Sequence, residues 1–207
     1  MDLTPEKIQS ARTILAELRY ETRPVVHGYA NRTLYINVSD PQIEIKPVTQ
    51  QMKDIFTGGR GFCLWLLWNA IKDDTRWDSP ENELLIAGGP IGGISQYPGT
   101  GKCTAVTISS LTHSIIDSNA GSYFGPYLKF SGFDALEVQG IADQEVIIYI
   151  DGDEGIVRVE SAPLDPVDTH LLAPLLTKMY ARDEKDQRSI SVVTAGQAAA
   201  HVPMCGL

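Results

Sequence analysis

Residues 90–136 read PIGGISQYPGTGKCTAVTISSLTHSIIDSNAGSYFGPYLKFSGFDAL, and this stretch decides how the rest of the chain is understood. Short apolar runs such as Thr104–Ile108 are separated by glycines, small polar residues and aromatics that fall at loop edges. Glycine lets backbone approach a ligand closely because it has no Cβ, and asparagine offers an amide donor and a carbonyl acceptor on one side chain. The layout suits a backbone surface lying against a flat, polar, phosphate-bearing ligand. Its strongest part is DSNAGSYFG (117–125), with Asn119, Ala120, Gly121 and Ser122 at the centre and Tyr123 and Phe124 expected to pack beneath the loop. A hairpin with an asparagine-rich turn accounts for the same residues.

Upstream, the pattern sets further elements. Leu34, Ile36 and Val38 alternate with polar neighbours, Asp40-Pro41 turns the chain, and Ile43 and Ile45 return, which predicts a hairpin. A short helix near Thr49–Phe56 leads to Gly58-Gly59-Arg60-Gly61, then to an apolar helix over Phe62–Ile71. Residues 5–19 read as a surface helix: Thr4 caps it, Pro5 takes the first helical position, and Ile8, Ala11, Leu15 and Leu18 share a face. The segment TRPVVHGYANR breaks that pattern, so residues 1–27 are expected to form a helical arm and linker outside a main domain at 28–207.

Downstream, Ala135–Gln139 and Val146–Ile150 read as strands, and Asp151-Gly152 turns the chain into a further strand at Ile156–Val159. Leu84–Ala87 is another strand, Leu171–Tyr180 a helix, and Ile190–Val193 a last strand. Strands at close intervals with few helices predict a β-rich α+β fold, not a doubly wound sheet.

Composition bounds the function. The chain has 207 residues and a net charge of −9, which makes nucleic acid an unsuitable partner because phosphate neutralisation needs clustered Lys and Arg. No run of 18 apolar residues marks a membrane span, and the N-terminus lacks the plan of a secretion signal. Cys63, Cys103 and Cys205 are widely spaced and odd in number, forming neither a disulfide framework nor a CxxC motif, so a reducing cytoplasm is expected.

Several chemistries lack their residues. Gly99-Thr100-Gly101-Lys102 has a phosphate-loop flavour but not the Walker spacing, and Cys103 stands where Ser or Thr should follow Lys102. His27, His113, His170 and His201 share no metal-ligand spacing. Ser95 and Ser122 lie in glycine-rich loops without a GxSxG elbow. GGRG before a helix can bind an anion through helix-terminal N–H groups and Arg60, or be a plain turn. Lys102 can meet a phosphate oxygen as a point charge, or be a solvated surface lysine. Cys63, Trp65 and Trp68 read as packing residues, and Asp73, Asp74, Asp78, Glu81 and Glu83 as a solvated acidic connection.

SPENELLIAGGPIGG (79–93) and SNAGSYFGPYLKFSGFDALEVQG (118–140) together resemble the two long motifs of the N-terminal domain of tungsten-containing aldehyde ferredoxin oxidoreductases. The resemblance extends from Gly28 to Gly196. It implies two mostly antiparallel sheets forming a saddle over a tungsten (or molybdenum) bis-pterin. By position, Asn119 and Gly121 fall in the loop contacting the pterin phosphates and their bridging magnesium. Lys102 stands where the family usually has an arginine, and Ser122 where a second glycine is usual. A second cofactor loop and the four cysteine ligands of an iron–sulfur cluster are not found in these 207 residues. The resemblance therefore implies that the cofactor is bound only in part here. A C-terminal half or partner subunit would carry the cluster, and ferredoxin would be reached indirectly through it. A homo-oligomer is compatible with it. The function expected is that of a cofactor-binding domain or subunit in aldehyde oxidation. The alternative is a non-catalytic binding or assembly protein that retains the fold.

Overall fold

A computed structural model describes residues 4–161 and 168–202. Five helices and nine strands follow in the order α1 (Pro5–Ala11), β1 (Thr13–Arg19), β2 (Arg32–Asn37), β3 (Gln42–Pro47), α2 (Gln50–Ile55), α3 (Arg60–Ala70), β4 (Glu83–Ala87), β5 (Cys103–Ile108), β6 (Ile115–Ala120), α4 (Phe124–Phe130), β7 (Ala135–Gln139), β8 (Val146–Asp151), β9 (Ile156–Ser161) and α5 (Thr169–Tyr180). They form a six-stranded sheet ordered β3-β2-β7-β4-β5-β6 and a three-stranded sheet ordered β1-β9-β8. Every pairing is antiparallel except β2 with β7. The fold is the expected β-rich α+β class with two mostly antiparallel sheets.

Strand alternation sorts the core. On one face of the large sheet, Leu85, Ala87, Val106 and Ala135 pack against Met52 of α2 and Phe62, Cys63 and Leu67 of α3. On the other, Leu34, Ile36 and Leu136 meet Val157 and Val159 of the small sheet and Leu128 of α4. The outer face of the small sheet is covered by α1 and α5, where Ile8, Ile147, Leu172, Leu176 and Met179 form a third cluster. Apolar area removed from water on three levels supplies the main driving force. Among the described residues, no helix is long and apolar enough to cross a membrane.

The N-terminus departs from expectation. Thr4 does cap α1, accepting from Lys7 N at 3.4 Å, with Pro5 in the first turn. The helix stops at Ala11, however, and Thr13–Arg19 is strand β1, paired along β9. Arg12 adopts extended backbone (φ −70, ψ 146), and its guanidinium reaches Glu160 Oε1 and Oε2 at 3.1 and 3.0 Å. The β-branched Thr13 and Ile14 then favour the strand. The helix does not stand apart from the body: Ile8 is 1% exposed, inside the third cluster.

Other expectations are also revised. Ile190–Val193 forms no strand and lines the wall of a cavity instead. Trp68 is exposed on α3, whereas Trp65 packs edge-on against Phe56. Glu83 does not belong to a solvated run: it is buried at the start of β4. Cys205 lies outside the described residues.

Candidate functional site

Two glycine turns cross at one corner of the six-stranded sheet. Helix α3 begins at Gly59, whose φ of 53° and ψ of −126° suit glycine, with no side-chain cap. Gly59 N donates to Gly88 O at 2.8 Å, tying the start of α3 to the loop after β4. A Cβ on Gly58 would lie 3.1 Å from Gly88 O and from Gly89 Cα, so the loops pass at backbone contact. A Cβ on Gly88 or Gly89 would meet nothing within 4 Å. The outer side of the crossing is therefore bare, open backbone.

The β5–β6 hairpin flanks this crossing. Thr104 Oγ1 lies 3.9 Å from where a Gly59 Cβ would be, and donates to Asn119 Oδ1 at 3.1 Å. Among the described residues nothing accepts from the Asn119 amide nitrogen, which leaves it available to a ligand acceptor. Arg60 Nη2 is 2.5 Å from Asp117 Oδ2, so its charge is already compensated. Lys102 is exposed and, among the described residues, makes no ion pair. Its Nζ lies 3.5 Å from where a Gly121 Cβ would be, which keeps the ammonium beside the turn after β6. Of the two expected cations, Lys102 is the free one.

Arg60, Lys102, Asn119, Ala120, Gly121 and Ser122, separated in sequence, are thus brought into one neighbourhood. Their secondary structure differs from expectation. Asn119 and Ala120 belong to edge strand β6, and only Gly121 and Ser122 turn. Tyr123 does not pack beneath the turn; it is 63% exposed and stacks on Tyr127 with centroids 5.5 Å apart. Ser122 has φ 104°, a conformation that costs an L side chain about 1–3 kcal/mol. Ser122→Gly should therefore raise stability by about 0.5–1 kcal/mol after glycine's own entropic cost, read as a higher urea midpoint at unchanged slope.

Behind the corner, two residues that sequence reasoning missed hold it in place. Lys129 is buried on α4 and its Nζ donates to Gly89 O. Asp134 accepts from Ala30 N at 2.9 Å and Asn31 N at 2.7 Å, clasping the chain just before β2. Burial lowers the pKa of the Lys129 ammonium and raises that of the Asp134 carboxyl; each group's charge counters the other's shift. The available signal was a Lys and an Asp inside the otherwise apolar run 128–136. Gly88 and Gly89, inside the motif at 79–93, supply the open backbone of the corner.

Other chemistry is not assembled. Among the described residues, no group of three or more His, Cys, Asp or Glu could hold a metal ion. Cys63 is buried, and desolvation pushes its thiol up to about 12, so it is no nucleophile. Two cavities lie away from the corner. One of about 670 Å³ extends past β8, between Leu136 and Ile148 and on to α5. The other, about 270 Å³, lies between Trp68 and Ile115. The four glycines of the corner are half-buried and line neither cavity.

Comparison with known proteins gives a consistent kinship. Residues 33–206 match the family model described as aldehyde ferredoxin oxidoreductase, N-terminal domain. A tungsten-containing aldehyde ferredoxin oxidoreductase of Pyrococcus horikoshii is 37% identical over 171 residues, 83% of this chain and 27% of the relative. That of Pyrococcus furiosus is 38% identical over 125 residues, 60% of this chain and 20% of the relative. An aliphatic sulfonate oxidoreductase, WOR-like subunit, of Pyrococcus furiosus is 27% identical, covering 64% of this chain and 21% of that one. Among solved structures, the active-site complex BamBC of benzoyl coenzyme A reductase with a dienoyl-CoA aligns at a TM-score of 0.61 and 24% identity. The alignment covers 70% of this chain and 20% of that one. It speaks to the fold alone. The chain spans about a fifth to a quarter of the length of the curated relatives it matches.

Proposed function

The chain belongs to the aldehyde ferredoxin oxidoreductase family through that family's N-terminal domain, and from that premise we propose that it supplies one side of a tungsten or molybdenum bis-pterin site. The enzyme so completed would oxidise aldehydes to carboxylic acids and pass electrons to ferredoxin. The observation that carries this reading is the pairing of open Gly88–Gly89 backbone with a free ammonium at Lys102 and a free amide at Asn119. Such a donor set fits a flat ligand bearing phosphates: backbone lies against the ring plane, while the ammonium and amide meet anionic and acceptor oxygens.

In this proposal Lys102 would neutralise a pterin phosphate, and Asn119 and Gly121 would hold the phosphates and their magnesium. Ala120 and Ser122 shape the turn. Arg60, compensated by Asp117, orients the β5–β6 edge and becomes a phosphate ligand only if Asp117 releases it. When bound, the metal–pterin group supplies the redox chemistry, and the protein contributes orientation and phosphate contacts. No side chain at the corner is assigned as general acid or base. A C-terminal part or partner subunit carrying the iron–sulfur cluster would close the other side of the site.

A second reading, a non-catalytic binding or assembly protein, is favoured by one observation: the corner's glycines line neither of the two cavities described above. One experiment separates the two. The chain alone should retain no stoichiometric tungsten and reduce no dye with an aldehyde, because ordering a large ligand is offset by only part of the usual contacts. Mixing with a separately expressed C-terminal part of a relative should restore metal retention, and Asn119→Ala should weaken that retention about tenfold. Stoichiometric tungsten and turnover by the chain alone would refute the partial-site reading. Failure of the mixture to retain metal would favour the second.

A further inference from the structure

On the face of the large sheet that also carries α3, a polar row crosses four strands. Lys46 of β3 places Nζ 3.2 Å from Glu137 Oε2 of β7 and 3.6 Å from the ring centroid of Tyr35 on β2. Thr33 Oγ1 donates to Glu137 Oε1. Tyr35 OH donates to Gln139 Oε1 at 2.7 Å, and Gln139 Nε2 donates to Glu83 Oε1 at 3.2 Å and to Glu81 O at 3.1 Å. The register sets Glu83 opposite Gln139 and Leu85 opposite Glu137, so the two carboxyls are diagonal neighbours on one face. Each is 2% exposed.

Two carboxyls therefore share one buried row with one cation, and their partners differ. Glu137 receives the ammonium and a hydroxyl. Glu83 receives only a neutral amide, and its Oε2 is buried with no hydrogen-bond partner. A bare carboxylate oxygen in that position is costly, whereas a protonated carboxyl is neutral and leaves only a hydroxyl to satisfy. Other elements packed against Glu83 bring no compensating charge. From β5 come Val106 and Ile108. The charged side chains of the 72–82 loop are exposed, and so is Glu44, which shares the Lys46 side of β3.

We propose that Glu83 carries a proton while Glu137 is ionised, making the row a proton-linked latch that ties Gln139 of β7 to β4 and to the end of the 72–82 loop and loosens as pH rises. Desolvation, with the Glu137 charge second and the Lys46 ammonium opposing both, pushes Glu83 up from 4.5 to about 7. With the folded value above the unfolded one, the latch contributes fully below 4.5, fades as the folded state loses its proton towards pH 7, and changes little beyond.

The test is urea denaturation of the full chain and its Glu83→Gln variant from acid to alkaline pH. Glutamine mimics the protonated carboxyl and keeps an acceptor for Gln139. The unfolding constant of the unmodified chain should rise relative to that of the variant by about 100-fold between pH 4.5 and pH 8. A ratio that does not change with pH would overturn the proposal. Should Glu83→Gln not fold, a carbon-13 carboxyl titration of the unmodified chain decides the matter. One glutamate with a midpoint near 7 supports the latch, and all glutamates titrating below about 6 overturns it.

Discussion

Glu160→Ala should destabilise the chain by about 3–5 kcal/mol, a large share of the roughly 5–15 kcal/mol that holds a domain folded. Glu160 is 0% exposed on the outer face of β9. It accepts from Arg12 Nη1 at 3.1 and 3.0 Å and from Tyr180 OH at 2.6 Å. One carboxylate thereby joins the junction of α1 and β1, the middle of the small sheet and the end of α5. Truncation strands the Arg12 guanidinium, whose side chain is only 24% exposed, and leaves the Tyr180 hydroxyl without its acceptor. The loss would appear as a large drop in the urea midpoint and in the circular-dichroism melting temperature. A change under about 1 kcal/mol would show that the triad is replaceable packing. Exchanging all three residues for apolar ones of similar volume should cost far less, because no buried charge is then left unpaired.

Gly28→Ala comes next, at about 2–4 kcal/mol. Gly28 has φ 85°, where an L side chain is strained. A Cβ there would press into Pro90 O and lie 2.9 Å from Pro90 Cβ. Relief would require the 88–93 loop to move away from the chain before β2, against the Lys129 contact to Gly89 O and the Asp134 clasp on Ala30 and Asn31. The variant should therefore lose stability and also, in the reconstituted protein, metal retention. Hydrogen exchange of the 88–93 amides reports the loop directly, and unchanged protection there would defeat the argument.

The elements legible in sequence were those whose signal is local. The β2–β3 hairpin follows from alternation at 34–38 and the Asp40-Pro41 turn, and α3 from an apolar run behind GGRG. The misread elements depend on distant partners. Ile8, Ala11, Leu15 and Leu18 recur at helical spacing, yet Thr13–Arg19 becomes a strand because β9 is waiting, with Arg12 and Glu160 148 positions apart. Conversely, Ile190–Val193 has strand composition, but pairs with no strand. Glu83 reads as one more solvated acid because nothing local shows that Gln139, 56 positions on, pairs with it. At the candidate site, residue types and their convergence were visible. Which cation is free was not, because it depends on Asp117 facing Arg60 across the β6 edge.

The one parallel pairing among the described residues, β2 beside β7, fixes an order of events during synthesis. One edge of β2 is satisfied early by β3, but the other waits for a strand whose Glu137 lies 104 positions after Thr33. At about 5–20 residues per second, β2 spends on the order of ten seconds outside the ribosome with Leu34 and Ile36 uncovered. β1 waits longer still for β9. Long-range closures of this kind give high contact order and slow folding. Val157 and Val159 of β9 cover Leu34 and Ile36 from the other sheet, so their exposure ends only after β9 has emerged, and rare codons between β7 and β9 would prolong it.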